Sequence, residues 1–268
     1  MDEHLKANRE LWDELTAIHA ASEYYDVDGF KAGRCTLWPV EIEEVGDVAG
    51  KSLLHLQCHF GMDTLSWARL GANVTGVDFS SKAIELARSL AAEVGIAAEF
   101  VCCNIYDLPE HLDGEFDIVF TSEGAMAWLP DLTRWAEVIA HFLRPGGVFY
   151  IFEFHPIAGV FDDSWEVAEP RLRYPYFHSD EPIVFEPSGS YADPDAGVHA
   201  RSCEWSHSMA DIVNGLIGAG LRIEFLHEFP FTTFHSHPFV ARGADGLWRY
   251  EAGPDQLPLM FSIRAVKQ

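Results

Sequence analysis

The chain alternates short apolar runs with segments of helical period from residue 51 to residue 154, and this pattern restricts the fold more than any other feature. The intervening stretches repeat apolar residues at helical spacing. The apolar runs expected to form buried strands are 52–57, 73–77, 99–103, 116–121 and 148–154. Strands and helices that alternate in this way form a parallel sheet covered by helices on both faces. Because such crossovers are right-handed, the sequence predicts an open, doubly wound α/β fold.

The segments on either side of this core indicate a single domain, 1–268, with additions at both ends. An amphipathic helix is expected over residues 5–20. The stretch 156–205 is rich in proline and aromatic residues but lacks a strong period, which is typical of a lid or a substrate-binding insertion. In order, the expected parts are a helical cap (1–50), the cofactor-binding core (51–155), a substrate lid (156–205) and a C-terminal helix with an antiparallel strand pair (206–268).

Composition excludes several classes of function. The chain has 42 acidic and 18 basic residues and a formal charge of −24, so its surface repels nucleic-acid phosphates and anionic membranes. No apolar run is long enough to cross a membrane, and the charged N-terminal stretch is unlike a secretory signal. The five cysteines form no CxxC pair, which favours a reduced, cytoplasmic protein. His235 and His237 alone are too few for a metal site, and the oligomeric state stays open.

Two neighbouring strand ends carry the pattern expected of a ligand site. In an open parallel sheet, ligands bind at the carboxyl ends of the strands, where the strand order reverses. The first strand leads into the turn 57–61, and the second ends at Asp78, 21 residues after Gln57. A carboxylate at this spacing accepts hydrogen bonds from the hydroxyls of a ribose, while the turn brings its backbone close to the ligand. The sequence therefore predicts a ligand that contains a ribose.

Five segments in order resemble the motifs of the class I S-adenosylmethionine-dependent methyltransferases. They are LLHLQCHFGMDTL (53–65), VTGVDFS (74–80), NIYDLP (104–109), FDIVFTSEGAMAWLPD (116–131) and LRPGGVFYIFEFHP (143–156). The resemblance covers 50–156 closely and 206–268 by topology. It implies a single methyltransferase domain with a Rossmann-like sheet of seven strands, the last antiparallel. The implied enzyme transfers a methyl group from S-adenosyl-L-methionine to a small-molecule acceptor through an oxygen, nitrogen or carbon atom.

The resemblance also implies site residues. The expected contacts with the cofactor are Tyr25, Gln57, His59, Gly61, Asp78, Phe79, Asn104, Ile105 and Ser122. The ends of the fourth and fifth strands offer Glu123, Glu153 and His155 as catalytic groups, although a solvated carboxylate or a packed strand end is the alternative for each. His155 is the preferred base because imidazole titrates near neutral pH. The insertion and the segment around Tyr25 are expected to close over the cofactor and exclude water.

The turn departs from the family pattern. Gln57 and His59 stand where the family has glycines, and His55 stands where it has an acid. Only Gly61 remains, and Gln57 and His59 can be accommodated in such a turn if their φ values are negative. Two other functions stay open. An NAD-dependent oxidoreductase would need a GxGxxG turn, which is absent, whereas a non-catalytic regulator that binds S-adenosylmethionine would tolerate the altered turn.

Overall fold

The elements alternate as the sequence predicts over the core. The computed structural model describes residues 2–186, 189–251 and 257–268. Its helices are α1 (Glu3–Ala21), α2 (Val27–Lys31), α3 (Pro39–Val45), α4 (Met62–Arg69), α5 (Ser81–Val94), α6 (Leu132–Phe142) and α7 (Met209–Gly218). Its strands are β1 (Ser52–Leu56), β2 (Asn73–Asp78), β3 (Glu99–Cys102), β4 (Phe116–Thr121), β5 (Leu143–Phe154), β6 (Ile183–Phe185), β7 (Ser202–Glu204), β8 (Leu221–Phe229), β9 (Val240–Arg242), β10 (Trp248–Tyr250) and β11 (Met260–Lys267).

Seven of these strands form one sheet in the order β3-β2-β1-β4-β5-β11-β8. The first five strands along the chain pair in parallel. β11 runs antiparallel to both of its neighbours, β5 and β8. The predicted doubly wound sheet with an antiparallel last strand is therefore confirmed. Its strand order reverses between β1 and β4, so the carboxyl ends of these two strands mark the expected ligand site.

Alternate side chains of the central strands enter two separate cores. On one face, Leu54 and Leu56 of β1 pack in a cluster with Trp135 and Ile139 of α6. On the other face, Leu53 packs in a cluster with Trp67 of α4 and with residues of α3. Successive side chains of a strand point to opposite faces, so a strand that is covered on both faces must be apolar throughout. This double burial explains why the strand segments are continuous apolar runs in the sequence.

Short polar side chains begin five of the helices. Asp26 accepts the N–H of Gly29 at the start of α2. Asp2, Ser80, Asp131 and Ser208 each accept a hydrogen bond from a backbone N–H in the first turn of α1, α5, α6 and α7, respectively. Ser80 lies two residues after the end of β2, and its own N–H donates to Asp78. The cap of α5 therefore also fixes the chain at the strand end where the ligand site is expected.

β5 begins at Leu143 rather than at residue 148. Leu143 pairs with Phe116 and Val148 pairs with Ile118, so residues 145–147 form an irregularity inside the strand. A Pro-Gly-Gly sequence usually interrupts a strand, which is why the sequence predicts this strand only from residue 148. A β-bulge allows such a sequence to remain within a strand. In β5, Gly146 has the positive φ (77°) found at this irregularity.

Three short features are absent from the sequence prediction. They are α2 within the stretch 23–35, the hairpin of β6 and β7 in the insertion, and the hairpin of β9 and β10 before β11. Each element has only three to five residues, too few for a period to be visible. Nowhere in the described residues is a helix both long and apolar enough to span a bilayer.

Candidate active site

The turn after β1 has the conformation of a glycine turn although it carries side chains. Gln57 (φ 56°) and His59 (φ 49°) both have positive φ, as does Gly61. The condition of negative φ under which Gln57 and His59 would be accommodated is therefore not met. This conformation costs a non-glycine residue about 1–2 kcal/mol. Two hydrogen bonds of 2.9 Å offset that cost: His59 N–H donates to Asp78 Oδ2, and Gln57 Nε2 donates to the carbonyl of Ala125.

Gly61 has no space for a side chain, and this gives a stability prediction. A Cβ there would lie 2.7 Å from Phe100 Cε1, and the φ of 79° is unfavourable for alanine. We expect Gly61→Ala to lower the free energy of unfolding by about 2 kcal/mol or more. Gly95→Ala is the matched control, because Gly95 also has positive φ (70°) but nothing lies within 4 Å of a Cβ. Gly95→Ala should lower the free energy of unfolding by only about 1 kcal/mol. If urea unfolding showed the same loss of unfolding free energy for both variants, the predicted steric overlap at Gly61 would be contradicted.

Asp78 is buried at the end of β2, with 8% of its surface exposed. Oδ1 accepts the N–H of Ser80 at 2.8 Å, and Oδ2 accepts the N–H of His59 at 2.9 Å. Each carboxylate oxygen has two lone pairs, so each retains one for a ligand hydroxyl. Burial raises the pKa of Asp78 to about 6, although these backbone hydrogen bonds oppose the shift. The carboxylate is therefore ionised at neutral pH and is held in a fixed orientation.

A small cavity of about 30 Å³ adjoins Asp78. Five of the predicted cofactor contacts line it: Gln57, Asp78, Phe79, Asn104 and Ile105. Leu5 of α1 and Trp128 complete part of the wall. The Oε1 atom of Gln57 is buried without a hydrogen-bond partner among the described residues, so a ligand donor here would relieve an unfavourable burial. A nucleoside needs more than this volume, so the cavity would have to widen to admit one.

The side chains above the turn join α1 to the insertion. His19 Nδ1 of α1 lies 2.9 Å from His59 Nε2, and His19 Nε2 lies 2.8 Å from Ser190 Oγ. The hydroxyls of Tyr25 and Tyr191 are hydrogen-bonded to each other. Burial lowers the pKa of His19 to about 4, and burial also lowers that of His59, so both imidazoles are neutral at pH 7. The cap and the insertion thus meet over the turn through neutral polar contacts.

Asn8 of α1 makes a second connection between the same two segments. Its Nδ2 donates to the carbonyl of Cys203 at 2.7 Å, and its Oδ1 accepts the N–H of Cys203 at 2.7 Å. Asn8 is fully buried. Glu14, two turns further along α1, accepts the backbone N–H groups of His199 and Ala200. α1 and this part of the insertion therefore form one packed layer over the carboxyl edge of the sheet.

Glu153 holds the loop that follows β4. Its carboxylate accepts the N–H groups of Gly124 (2.6 Å), Ala125 (2.7 Å) and Met126 (3.0 Å), and also that of Phe154 (2.7 Å). Glu153 is 2% exposed. Burial raises the pKa of Glu153, while these four donors lower it. With its oxygens engaged in this way, Glu153 fixes the backbone of the loop rather than presenting a free base.

Ser122 and His55 connect the same loop to β1 and α4 through hydrogen bonds. Ser122 Oγ lies 3.1 Å from His55 Nε2, and His55 Nδ1 lies 2.8 Å from Thr64 Oγ1. Burial lowers the pKa of His55 to about 3, so the imidazole is neutral. The residue that replaces the family's acid therefore acts as an uncharged hydrogen-bonding bridge between β1, α4 and the loop after β4.

Glu123 is the carboxylate of this loop with free accepting capacity. Its Oε2 accepts from Thr233 Oγ1 at 2.7 Å, and its Oε1 accepts from the indole Nε1 of Trp38 at 3.3 Å. Burial raises the pKa of Glu123 to about 7, these two donors oppose the shift, and the charges of Asp63 and Glu153 add to it. A carboxyl group with this pKa exchanges its proton near neutral pH, as a general base must.

Both ring nitrogens of His155 are engaged. Nδ1 accepts the N–H of Ile157 at 3.1 Å, so Nε2 carries the proton and donates to Glu228 Oε1 at 2.8 Å. Burial lowers the pKa of His155, and Glu228 opposes this shift. In this arrangement neither nitrogen has a free lone pair with which to take a proton from an acceptor.

A second, larger cavity of about 350 Å³ lies beyond the loop after β4. The loop separates the two cavities: Trp128 and Leu129 line the first, whereas Gly124, Met126 and Ala127 line the second. The insertion and the ends of β5 and β7 supply most of the remaining wall, including Glu153 and His155. Pockets for small ligands typically measure roughly 300–1,000 Å³, so this volume suits a small molecule.

The structure distributes the predicted residues over three places. Five line the first cavity, Tyr25, His59, Gly61 and Ser122 form or support the turn and loop around it, and Glu153 and His155 line the second cavity. Glu123 lines neither cavity but precedes Gly124 at their boundary. Five further residues reach the site from distant segments without a local motif, so the sequence does not predict them: Asn8, Trp38, Ser190, Tyr191 and Thr233. Within the described ranges, no three histidine, cysteine or carboxylate side chains are grouped as metal ligands.

Comparison with known proteins gives a consistent set of similarities. A family model described as "Methyltransferase domain" matches residues 54–151. The ubiquinone biosynthesis O-methyltransferase of Xanthomonas euvesicatoria pv. vesicatoria (strain 85-10) is 31% identical over 152 residues, which cover 55% of this chain and 63% of that protein. The chain thus spans less than two thirds of the length of the curated relatives it matches.

Solved structures resemble the chain over more of its length. An S-adenosylmethionine-dependent methyltransferase from Mesorhizobium loti superposes with a TM-score of 0.61 at 21% identity, covering 88% of this chain and 100% of that one. The complex of the glycopeptide N-methyltransferase MtfA with S-adenosyl-L-methionine gives a TM-score of 0.53 at 17% identity, covering 84% and 85%. At these identities, the likeness shows a common fold.

Proposed function

Because the chain belongs to the class I S-adenosylmethionine-dependent methyltransferase superfamily, we propose that it is an enzyme that transfers a methyl group from S-adenosyl-L-methionine to a small-molecule acceptor. The first cavity is the proposed site of the cofactor's nucleoside, and the second is the proposed site of the acceptor. Because methyl transfer needs the two reactants in direct contact, the methyl group of the bound cofactor would have to reach past the loop 122–129 into the second cavity.

The observation that carries this proposal is the arrangement around Asp78. A buried, oriented carboxylate retains one lone pair on each oxygen, which suits the two hydroxyls of a ribose. Gln57 Oε1 is a buried acceptor that no donor reaches within the described part of the chain, and Gln57 lines the same cavity. These groups fit the cofactor, whose adenosine presents hydroxyl and amino donors. Asn104 and Ile105 would contact the adenine from the far side of the cavity.

In the proposed mechanism the chain aligns two reactants and keeps water away. S-Adenosylmethionine supplies an electrophilic methyl group on a sulfonium, so the protein needs no strong electrophile of its own. The layer formed by α1 and the insertion covers the turn and excludes water. Glu153 fixes the backbone of the loop between the cavities and thereby the distance between the reactants.

We propose Glu123 as the general base in place of His155. Its pKa of about 7 allows it to be ionised at neutral pH and still to accept a proton readily. His155 has both nitrogens engaged, and the oxygens of Glu153 accept four backbone N–H groups. Of the three carboxylate and imidazole groups predicted from the sequence, Glu123 alone combines free accepting capacity with a suitable pKa.

A variant of Glu123 should separate chemistry from binding. We expect Glu123→Gln to lower kcat by roughly 10²-fold, the usual contribution of a general base, while the affinity for S-adenosylhomocysteine stays the same. In the wild type, kcat should rise as the pH increases through about 7, because Glu123 is ionised above its pKa. The variant should lose this rise, and His155→Gln should keep it. A rise that disappears only in His155→Gln would return the role of base to His155.

Calorimetry tests the proposed function itself. The chain should bind one equivalent of S-adenosylhomocysteine and no NADH, which separates the proposal from an NAD-dependent oxidoreductase. Incubation with S-adenosylmethionine and a panel of phenols, amines and carbon acids should then form S-adenosylhomocysteine. The absence of any S-adenosylhomocysteine binding would overturn the proposal. Tight binding without methyl transfer to any acceptor would favour a non-catalytic regulator instead.

The net charge of the chain supports a small-molecule acceptor, and its free cysteines support a reducing cellular compartment. A formal charge of −24 opposes binding to nucleic acid, so the proposed acceptor is a small molecule. This agrees with the curated relatives, which are named as O-methyltransferases of ubiquinone biosynthesis. All five cysteines are free thiols, which supports a reducing compartment and a proposed cytoplasmic location.

A further inference from the structure

The described lining of the second cavity contains carboxylates but no basic side chain, and the nearby Arg173 pairs only with Asp163 among them. Three carboxylates line it, Glu153, Asp163 and Glu204, and none of its described lining residues is a lysine or an arginine. The carboxylate of Glu153 already accepts hydrogen bonds from four backbone N–H groups. Arg173 approaches Asp163 from outside the cavity at 3.5 Å, and Tyr174 OH donates to the same Asp163 oxygen at 2.8 Å. Among the residues that the structure describes, the carboxylate of Glu204 receives one hydrogen bond, from Ser202 Oγ at 2.9 Å.

The histidines of the cavity do not neutralise these charges. Burial lowers the pKa of His207 to about 4, and it lowers the pKa of His155 and His237 below the usual value as well. All three imidazoles are therefore neutral near pH 7. Burial raises the pKa of Glu204, the hydrogen bond from Ser202 lowers it, and repulsion by the charge of Asp163 raises it further. A bound cation would remove this repulsion.

Aromatic side chains line the same cavity as Glu204. Tyr174, Tyr176, Phe185 and Trp205 line the cavity, and the rings of Tyr174 and Phe185 meet edge to face at 5.6 Å. Aromatic faces attract ammonium groups, and this attraction strengthens when the site is shielded from water. Carboxylates next to aromatic faces form the usual chemical environment for an organic cation.

An anionic acceptor has no comparable partner. The N-terminus of α7 is close to the cavity, but Ser208 and Asp211 form a reciprocal cap there, and Met209 N–H donates to Tyr176 OH. The first turn of α7 is therefore already matched by an acidic side chain. A carboxylate or phosphate in this cavity would face Glu204 and Asp163 without a cationic side chain to bind it.

We propose that the acceptor is an amine whose ammonium group binds between Glu204 and the aromatic wall of the second cavity, with Asp163 adding to the attraction. This inference rests on the proposed function, because it names the class of molecule held in the proposed acceptor site. The ammonium group serves as the binding handle, and the ring or chain attached to it extends toward the loop 124–127.

Three probes with the same ring but different charge test the proposal. They are tyramine, 4-ethylphenol and 3-(4-hydroxyphenyl)propionate, titrated by calorimetry into the full chain saturated with S-adenosylhomocysteine at 0.15 M salt, roughly the physiological ionic strength. We expect tyramine to bind at least tenfold more tightly than 4-ethylphenol and the propionate to bind least. Glu204→Gln should weaken tyramine about tenfold and leave 4-ethylphenol unchanged. Glu169→Gln removes one exposed carboxylate of the insertion and should change neither.

The outcomes separate this inference from the proposed function. Normal binding of S-adenosylhomocysteine together with equal affinity for the three probes, no binding of tyramine, or preference for the propionate would overturn the amine proposal alone. An equal loss for all probes in Glu204→Gln would also overturn it, since that pattern indicates a structural role. If Glu204→Gln does not fold, Asp163→Asn replaces it, and a selective loss of tyramine affinity is again expected. Failure to bind S-adenosylhomocysteine would instead reject the proposed function.

Discussion

Replacing Asp78 with alanine should weaken the binding of S-adenosylhomocysteine by at least tenfold. The variant would lose both proposed hydrogen bonds to the ribose, each worth about 1.5–3 kcal/mol when the acceptor is charged. It would also remove the acceptor of the His59 N–H, which holds the turn in its unfavourable positive-φ conformation. Calorimetry at pH 8 measures the loss. Asp113→Ala, which removes an exposed carboxylate on a loop, is the control and should bind normally.

The affinity of the wild type should also depend on pH in a defined direction. Because the pKa of Asp78 is about 6, the carboxylate is ionised above this pH and protonated below it. Protonation removes the negative charge and one accepting site, so affinity should decrease as the pH falls from 8 to 5. Asp78→Asn should bind weakly over the whole range. Full affinity in the alanine variant would exclude Asp78 from the cofactor site.

Replacing Glu153 with alanine should have the largest effect on stability and also impair catalysis. Three N–H groups of the loop after β4 would lose their acceptor, and each buried donor left without a partner costs about 1–3 kcal/mol. We expect the free energy of unfolding to fall by about 3 kcal/mol or more. Since this loop separates the two cavities, kcat/KM should fall by roughly 10²-fold, the scale expected when reactants are misplaced by about 1 Å.

Two further variants distinguish positioning by Glu153 from a general loss of stability. Glu153→Gln keeps one accepting oxygen and should recover part of both losses. Glu137→Ala on the exposed side of α6 is the control and should change the free energy of unfolding by less than about 0.5 kcal/mol. Urea unfolding and methyl-transfer kinetics provide the measurements. If Glu153→Ala were as stable as the control, the loop would not depend on this carboxylate.

Local patterns in the sequence are sufficient to predict the parallel strands of the sheet and the position of the ligand site at their carboxyl ends. The apolar runs predict the five parallel strands because both faces of each strand are covered, and Ser80 predicts the start of α5 because a cap needs only adjacent residues. Asp78 is also a local prediction, since its place at the end of β2 depends on one strand. Because the strands are parallel, their carboxyl ends then lie at the same edge of the sheet.

Long-range contacts account for what the sequence left undetermined. Whether Glu123 or His155 is the better base depends on Trp38, Thr233 and Glu228, and no local pattern connects these residues to the strand ends. The positive φ of Gln57 and His59 likewise depends on acceptors elsewhere, at Asp78 and Ala125. In the same way, residues 145–147 extend β5 because of its pairing with β4, which overrides the tendency of proline and glycine to end a strand.

The pairing of Asn8 with Cys203 has a consequence for solubility. β7 has a partner on one side only, since β6 pairs with it there and no strand among the described residues covers its other side. An open strand edge is a template on which other chains can add, and proteins protect such edges to avoid aggregation. The amide of Asn8 satisfies the outward N–H and C=O of Cys203, as a neighbouring strand would. Removal of α1, for example by limited proteolysis, would therefore expose this edge, and the shortened chain should self-associate.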